Sequence, residues 1–420
     1  MNLSIASCAA AKRLAARVCA IAGLVASVAL AGCAVQPVKP PAPPPPLAVE
    51  TGPTAPSTHP LDADQPDFLR LPNLPSGTPV RVGVLLPFSN GSAATRALAQ
   101  SMLKAAELAL FDAKNQNIVL ITADEGGSPD AAAQGARNLL AQGAEIIIGP
   151  LFAQSVSAVA PIARDRAVPV ISFSTDRNVA GDGIYLLSFQ PENEVKRIVD
   201  FAAAQGRSNF AALVPQTIYG DRVAKAFQDE VTAKGGKITD IEHFAATPDA
   251  LAAQAQAVTA SKPDAILVAQ GGALLRGTGP ALAAGGVDGN KIRLLGTGLW
   301  DDPANVKESA LSGGWFAAPS PSADEAFDAK YKNAFGNNPP QLATLAYDAV
   351  SLAALLSSGA PYHRFTPAAL GDPNGFAGVN GIFRFNPDGT SERGLAILGV
   401  DPGGFTTVSP APATFQPSGS

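Results

Sequence analysis

Side chains suited to covalent or metal chemistry are scarce in this 420-residue sequence, which holds three cysteines, Cys8, Cys19 and Cys33, and three histidines, His59, His243 and His363. Their separations match none of the paired spacings that hold zinc, so no metal centre is expected. Only His243 falls inside a clear element, a strand, where a lone histidine is far more often structural than catalytic. There is no Gly-x-Ser-x-Gly elbow, no Walker loop and no Gly-x-Gly-x-x-Gly after a strand, which argues against acyl transfer, phosphoryl transfer and dinucleotide chemistry. Neither an enzyme nor a cofactor is expected. What remains is the chemistry of binding, carried by hydroxyls, aromatics and acids in loops. Each has a plainer reading beside it. Tyr219 opens a helix and could pack on its own lobe, and Ser155 could cap a helix. Trp300 and Trp315 suit a core or a hinge. Asp301 and Asp302, just before Pro303, suit a helix N-cap pair.

Composition narrows the partners. The formal charge is −5, and the basic residues Lys12, Arg13 and Arg17 precede any acid, the first of which is Glu50. They lead into an apolar run, Val18 to Leu30, that is shorter than the roughly 20 residues a membrane span needs. A basic start, a short apolar core and small residues are the marks of a secretory signal over 1–32. Its ending, Leu30-Ala31-Gly32-Cys33, resembles the lipobox of bacterial lipoproteins. That resemblance implies a lipid on Cys33, with Cys8 and Cys19 removed along with the signal. The mature charge would then be near −8, a poor match to nucleic acid, whose phosphates attract Lys and Arg. From 33 to 79 the chain is rich in Pro, Ala, Thr and Ser, including "PPAPPPP", and reads as a disordered, extended spacer. Residues 406–420 read as a second disordered tail.

Between these ends the chain alternates strands and helices. "VRVGVLL" is a nearly unbroken apolar run, as in a parallel strand covered on both faces. It leads to a helix with Leu98, Met102, Ala105 and Ala109 at helical spacing. "NIVLITAD" and "EIIIGP" follow at the same rhythm, each leading to a helix, and then comes "VPVISFS"; Ser128 and Pro129 mark one helix start. After "IYLLSFQ" the pattern begins again with "NFAALVP", "KITDIEHF", "PDAILVAQ" and "KIRLLGTG". Two further helices and a Gly-rich hairpin, "GVNGIFRFNPDGTSERGLAILGV", close the body. The fold class is therefore α/β, as two doubly wound parallel-sheet lobes.

"VGVLLPFSNG", "IIGPLFAQSVSAVAPIA", "VPVISFSTD", "YGDRVAKAF" and the closing hairpin, in this order, resemble the leucine/isoleucine/valine-binding branch of the type I periplasmic binding proteins. The resemblance spans residues 80–405 and implies two lobes joined by a three-crossing hinge that close on a ligand. The lobes are expected at 80–190 plus 318–360 and at 191–317 plus 361–405, with crossings near Gln190, near Ala318 and within 360–375. In such proteins first-lobe hydroxyls and backbone N–H groups hold the ligand's carboxylate, and a second-lobe acid holds its ammonium. A zwitterion buried in a closed cleft needs both. The resemblance places the first-lobe hydroxyl position at Ala153, beside Gln154 and Ser155. It places the next loop on Ser174, Thr175 and Asp176, and the second-lobe acid on Gly298, close to Trp300 and Asp301. Tyr219 matches the family's cleft aromatic, and Phe88, after the first strand, is expected to join the cleft. The aromatic survives while the zwitterion clamp is altered.

"LLPFSNG" with "IIGPL" and a lipobox also resembles the penicillin-binding-protein activators, lipoproteins of this fold that sit on the outer membrane and stimulate a peptidoglycan synthase. Ala34 rather than aspartate after the cysteine suits that position. Two readings follow. The first is an activator, lipid-anchored to the periplasmic side of the outer membrane, with a peptidoglycan synthase as partner. The second is the solute-binding protein of an amino-acid transporter, with a small amino acid as ligand.

Overall fold

A computed structural model describes residues 68–70 and 79–415, apart from residues 90, 115, 116, 246, 290 and 362. The expected signal, Cys33 and nearly all of the spacer lie outside the described residues.

The first lobe forms around strands that are apolar on both faces. Its elements run β1 (Phe68–Arg70), β2 (Val80–Leu86), α1 (Ala93–Asp112), β3 (Ile118–Asp124), α2 (Pro129–Ala141), β4 (Ile146–Ile148), α3 (Ala153–Arg164), β5 (Val170–Ser172) and β6 (Ile184–Leu186). They make a six-stranded sheet in the order β1-β3-β2-β4-β5-β6, parallel except for β1. Every residue of β2 is buried. Val82, Val84 and Leu86 face α1, while Leu85 faces the α2–α3 layer, which is why the run shows no polar alternation. The turn after β4 needs a glycine: Gly149 sits at φ +97°, and a Cβ there would collide with the Leu85 carbonyl.

The second lobe repeats the plan with α4 (Pro191–Ala204), β7 (Asn209–Pro215), α5 (Ile218–Ala233), β8 (Lys237–Phe244), α6 (Pro248–Ala260), β9 (Ala265–Val268), α7 (Gly272–Ala284), β10 (Arg293–Gly296) and β11 (Trp315–Ala318). The chain then returns to the first lobe as α8 (Pro321–Phe335) and α9 (Ala343–Leu356), the hairpin β12 (Phe383–Phe385) and β13 (Ser391–Arg393), and ends in the second with β14 (Ala396–Asp401) and β15 (Gly404–Ser409). The second sheet runs β15-β14-β11-β10-β9-β7-β8, with β14 and β15 antiparallel.

Three boundaries differ from those expected. Phe365, Leu370, Phe376, Phe383 and Phe385 bury themselves in the first lobe's core, beside Val80, Met102 and Leu345. Residues 361–393 therefore belong to the first lobe, because the aromatics of the hairpin complete its core and not that of the second. The third crossing consequently falls at Gly394 and not within 360–375; the first two lie at 187–190 and 319–320. Residues 406–409, expected in a disordered tail, extend the second sheet by pairing Thr406 and Thr407 with Gly399 and Leu398.

Candidate functional site

A cavity of about 360 Å³ opens where the crossings meet, lined from the first lobe by Thr175, Ser188, Gln341 and Arg393, and from the second by Glu194, Tyr219, Arg222 and Gly298. Phe189, Gln190, Pro191 and Pro319 of the first two crossings line it too. Ile218 and Leu299 stand exposed beside it as an apolar lip on the second lobe.

Helix starts position the second-lobe groups. Thr217 caps α5 by accepting from the Gly220 N–H, which holds Tyr219 in the first turn. The Tyr219 hydroxyl bonds Thr297 Oγ1 at 2.8 Å, and burial, with the Glu194 charge adding to it, raises its pKa. One turn on, Arg222 makes a two-pronged contact with Glu192 at 2.9 and 2.7 Å and donates to Gln190 Oε1 at 2.6 Å. Gln190 donates onward to Ser188 Oγ at 2.7 Å, and Ser188 donates to the Ser174 carbonyl at 3.0 Å. This polar chain runs from a first-lobe loop through the first crossing to a second-lobe helix.

Glu194, in the first turn of α4, is the group that local reasoning missed. Its Oε2 accepts from the Gly298 N–H at 2.9 Å, and a Cβ at 298 would lie 2.9 Å from its Oε1. The acid expected at 298 is thus replaced by one reaching in from another helix, and glycine at 298 leaves it room. The only local signal was a second acid in a helix start already carrying Glu192. Burial pushes the Glu194 carboxyl up to about 7, the Gly298 N–H opposing and the Glu192 charge reinforcing the rise. Across the cavity, Arg393 lies over the Phe189 ring at 5.1 Å and 3.6 Å from Asp348. Burial raises the Asp348 carboxyl to about 6 against the pull of Arg393. The cavity therefore presents the Arg393 guanidinium on its first-lobe side and, on its second, the Glu194 carboxyl beside the Arg222–Glu192 pair.

Of the expected cleft residues, only Thr175 and Tyr219 line this cavity. Phe88 packs partly buried against the first core, its N–H donating to Asp124 Oδ1 at 2.8 Å. Gln154 is exposed on the first turn of α3. Ser155 is buried and turned into its own lobe, where its hydroxyl bonds Glu125. The same carboxylate accepts the Leu151 and Phe152 N–H groups at 2.9 and 3.2 Å. The start of α3, where backbone N–H groups would attract an anion, is therefore filled by the chain's own Glu125. Ser174 is buried, its hydroxyl accepting from the Asp176 N–H at 3.1 Å. Asp176 caps a short turn through the Asn178 N–H rather than entering the cleft. Trp300 is fully buried in the second core, its indole donating to the Val268 carbonyl at 3.0 Å. It belongs to the core because the turn after β10 aims the ring between Gly296 and Gly314, where any Cβ would strike it. Asp301 is exposed outside the cavity lining; Asp302 alone caps the next turn, accepting from the Ala304 N–H.

Among the described residues no cluster of His, Cys, Asp and Glu could hold a metal ion, and no helix is long and apolar enough to cross a membrane.

Among solved structures, a putative branched-chain amino acid ABC transporter protein from Rhodospirillum rubrum superposes with a TM-score of 0.70 at 20% identity, over 79% of this chain and 100% of its own. A branched-chain amino acid ABC transporter periplasmic ligand-binding protein from Burkholderia xenovorans gives 0.62 at 20% identity, over 79% and 94%. Similarity at this identity shows the fold. By sequence, the uncharacterized protein RP748 of Rickettsia prowazekii is 20% identical over 172 residues, 41% of this chain and 45% of its own length. The penicillin-binding protein activator LpoA of Klebsiella pneumoniae is 29% identical over 125 residues, 29% of this chain and 18% of its own. The chain thus spans less than half the length of these curated relatives. The periplasmic binding protein family profile matches residues 79–404, covering both lobes and all three crossings, and the chain belongs to the periplasmic binding protein family.

Proposed function

We propose that this chain is a lipid-anchored periplasmic regulator that stimulates a peptidoglycan synthase by protein contact, a reading supported by distant relatives that bear the name penicillin-binding protein activator. The observation that carries this reading is Glu125 at the start of α3, bonded by Leu151, Phe152 and Ser155. With Ala153 in place of a hydroxyl, the start of α3 lacks the receptor that the resemblance would give an amino-acid carboxylate there, and a carboxylate brought to it would meet Glu125. The protein acts by binding and not by catalysis, with the lipid on Cys33 as its membrane attachment to the outer membrane. The test is the rate of glycan polymerisation and cross-linking by each penicillin-binding protein of the same cell, with and without the full chain. Acceleration of one synthase is expected; no effect on any of them overturns the reading.

One observation favours solute binding instead. Arg393 and Glu194 face the cavity from opposite lobes with Tyr219 beside them, a polarity that suits a zwitterion. Calorimetry with amino acids on the chain and on Tyr219→Ala separates the two. Tight binding lost in the variant supports uptake, whereas intact synthase stimulation by the variant supports the regulator.

A further inference from the structure

The three covalent crossings are not the whole connection between the lobes. After β15, Pro410 ends the second sheet, since it has no N–H to offer the ladder. The chain does not leave the body there. Arg197 of α4 donates to Ser409 Oγ at 2.7 Å and to the Pro410 carbonyl at 3.4 Å, while its Nε holds the Leu395 carbonyl at 2.8 Å. One guanidinium thus ties the tail to the second lobe and to the residue just after the third crossing. Ala411 packs against the second-lobe core. Pro412 then passes directly over Gly394, its Cγ 3.0 Å from where a Cβ would stand. The next landing is on the first lobe. Phe415 lies over the Arg384 guanidinium with 4.6 Å to the ring centroid. Its Cε2 comes within 2.8 Å of the Cβ position of Gly375, whose φ of +73° and missing side chain leave the space.

Arg384 is a prepared platform. Glu392 takes its Nε and Nη2 at 2.9 and 2.6 Å, and the Pro373 carbonyl takes Nη1 at 3.2 Å, so the guanidinium is held in place against the Phe415 ring. The intervening Pro412, Ala413 and Thr414 are exposed, and two prolines keep the stretch extended.

From this the geometry points to residues 410–415 as a releasable strap across the hinge. It is built into the second lobe through β14 and Arg197, and moored on the first by Phe415 on Arg384. The mooring sets the resting angle between the lobes, and letting go of Phe415 frees the hinge without unfolding either core. This is independent of what the cleft binds. A rotation of one lobe on the other moves Arg384 relative to β15, so Phe415 must slide or detach. A single half-buried guanidinium–aromatic contact is weak enough to do so and strong enough to bias the angle.

The test is double electron–electron resonance between spin labels at Gln154→Cys and Lys225→Cys in the full chain, with Cys8, Cys19 and Cys33 changed to Ser. Phe415→Ala is expected to change the ratio of the lobe-distance populations by about two- to five-fold or more, two- to five-fold being the ratio equivalent of one exposed cation–π contact and the lower bound for this half-buried one. Phe415→Tyr, which keeps the ring, should match the parent. A chain ending at Ser409 should shift in the same direction as Phe415→Ala, and circular dichroism should show both cores intact. Distance distributions identical in the parent, in Phe415→Ala and in the shortened chain overturn the strap; a shift in the shortened chain without one in Phe415→Ala overturns the mooring at Arg384.

Discussion

Glu194→Gln is the substitution whose effect follows most directly from the cleft geometry. Burial raises the carboxyl to about 7 from an ordinary 4.5, with repulsion from Glu192 adding to the rise and the single N–H it accepts, from Gly298, opposing it. Below pH 4.5 both folded and unfolded chains hold the proton, and the carboxyl imposes no penalty. Between 4.5 and about 7 the unfolded chain ionises while the folded one keeps its proton. Stability therefore falls as pH rises, and the loss is complete once pH exceeds the folded value. At ~1.36 kcal/mol per pH unit of difference the loss is on the order of 3 kcal/mol. Glutamine keeps an oxygen for the Gly298 N–H and cannot ionise, so the variant escapes this loss. Asp348 contributes a loss of the same sign, but it is present in both proteins and cancels in the comparison. The melting temperature of Glu194→Gln relative to the parent should therefore rise between pH 4.5 and pH 8 by several degrees, using ~2–4 °C per kcal/mol. Parallel melting curves across that range, or a variant less stable at pH 8, would refute the placement of an uncompensated carboxyl in the cleft. With the ligand-free result in hand, adding a cationic ligand that seats against Glu194 should reduce the parent's pH dependence relative to the ligand-free protein.

Two further substitutions test other parts of the account. Trp300→Ala should cost about 3–5 kcal/mol by urea unfolding, as expected for removing a large core aromatic, and it also strands the Val268 carbonyl; a near-neutral effect would put the ring back in the cleft. Arg364 binds both oxygens of Glu145 at 2.8 and 2.7 Å with little exposure on either side, so Arg364→Met should destabilise by roughly 3–5 kcal/mol.

Much of the architecture was readable from local pattern. The apolar run of β2 is a strand because Val82, Val84 and Leu86 bury on one side while Leu85 buries on the other. Ser128 followed by Pro129 starts α2 with its side chain on the Ala131 N–H, as the residue types predicted. The hairpin near Asn386-Pro387-Asp388-Gly389 pairs Phe383 with Arg393 and Phe385 with Ser391. The cleft was less legible. Tyr219 and Thr175 were found there, but Ser155, Ser174 and Trp300 are committed to their own lobes. Each has the chemistry of a ligand contact, and only the direction of its side chain shows otherwise.

The order of strands and helices, the two-lobe plan and the scarcity of catalytic groups were determined by the sequence by itself, because periodicity and composition report on burial one element at a time. The tertiary structure alone decided which acid stands at Gly298. Glu194 is separated from it by 104 positions in the chain, and no local pattern couples them. It also decided that Glu125 fills the start of α3, that the phenylalanines of 365–385 complete the first core, and that Phe415 returns to Arg384. These are contacts between segments far apart in the chain. Each is selected by the space and charge that other elements leave open, and those exist only once the lobes have folded.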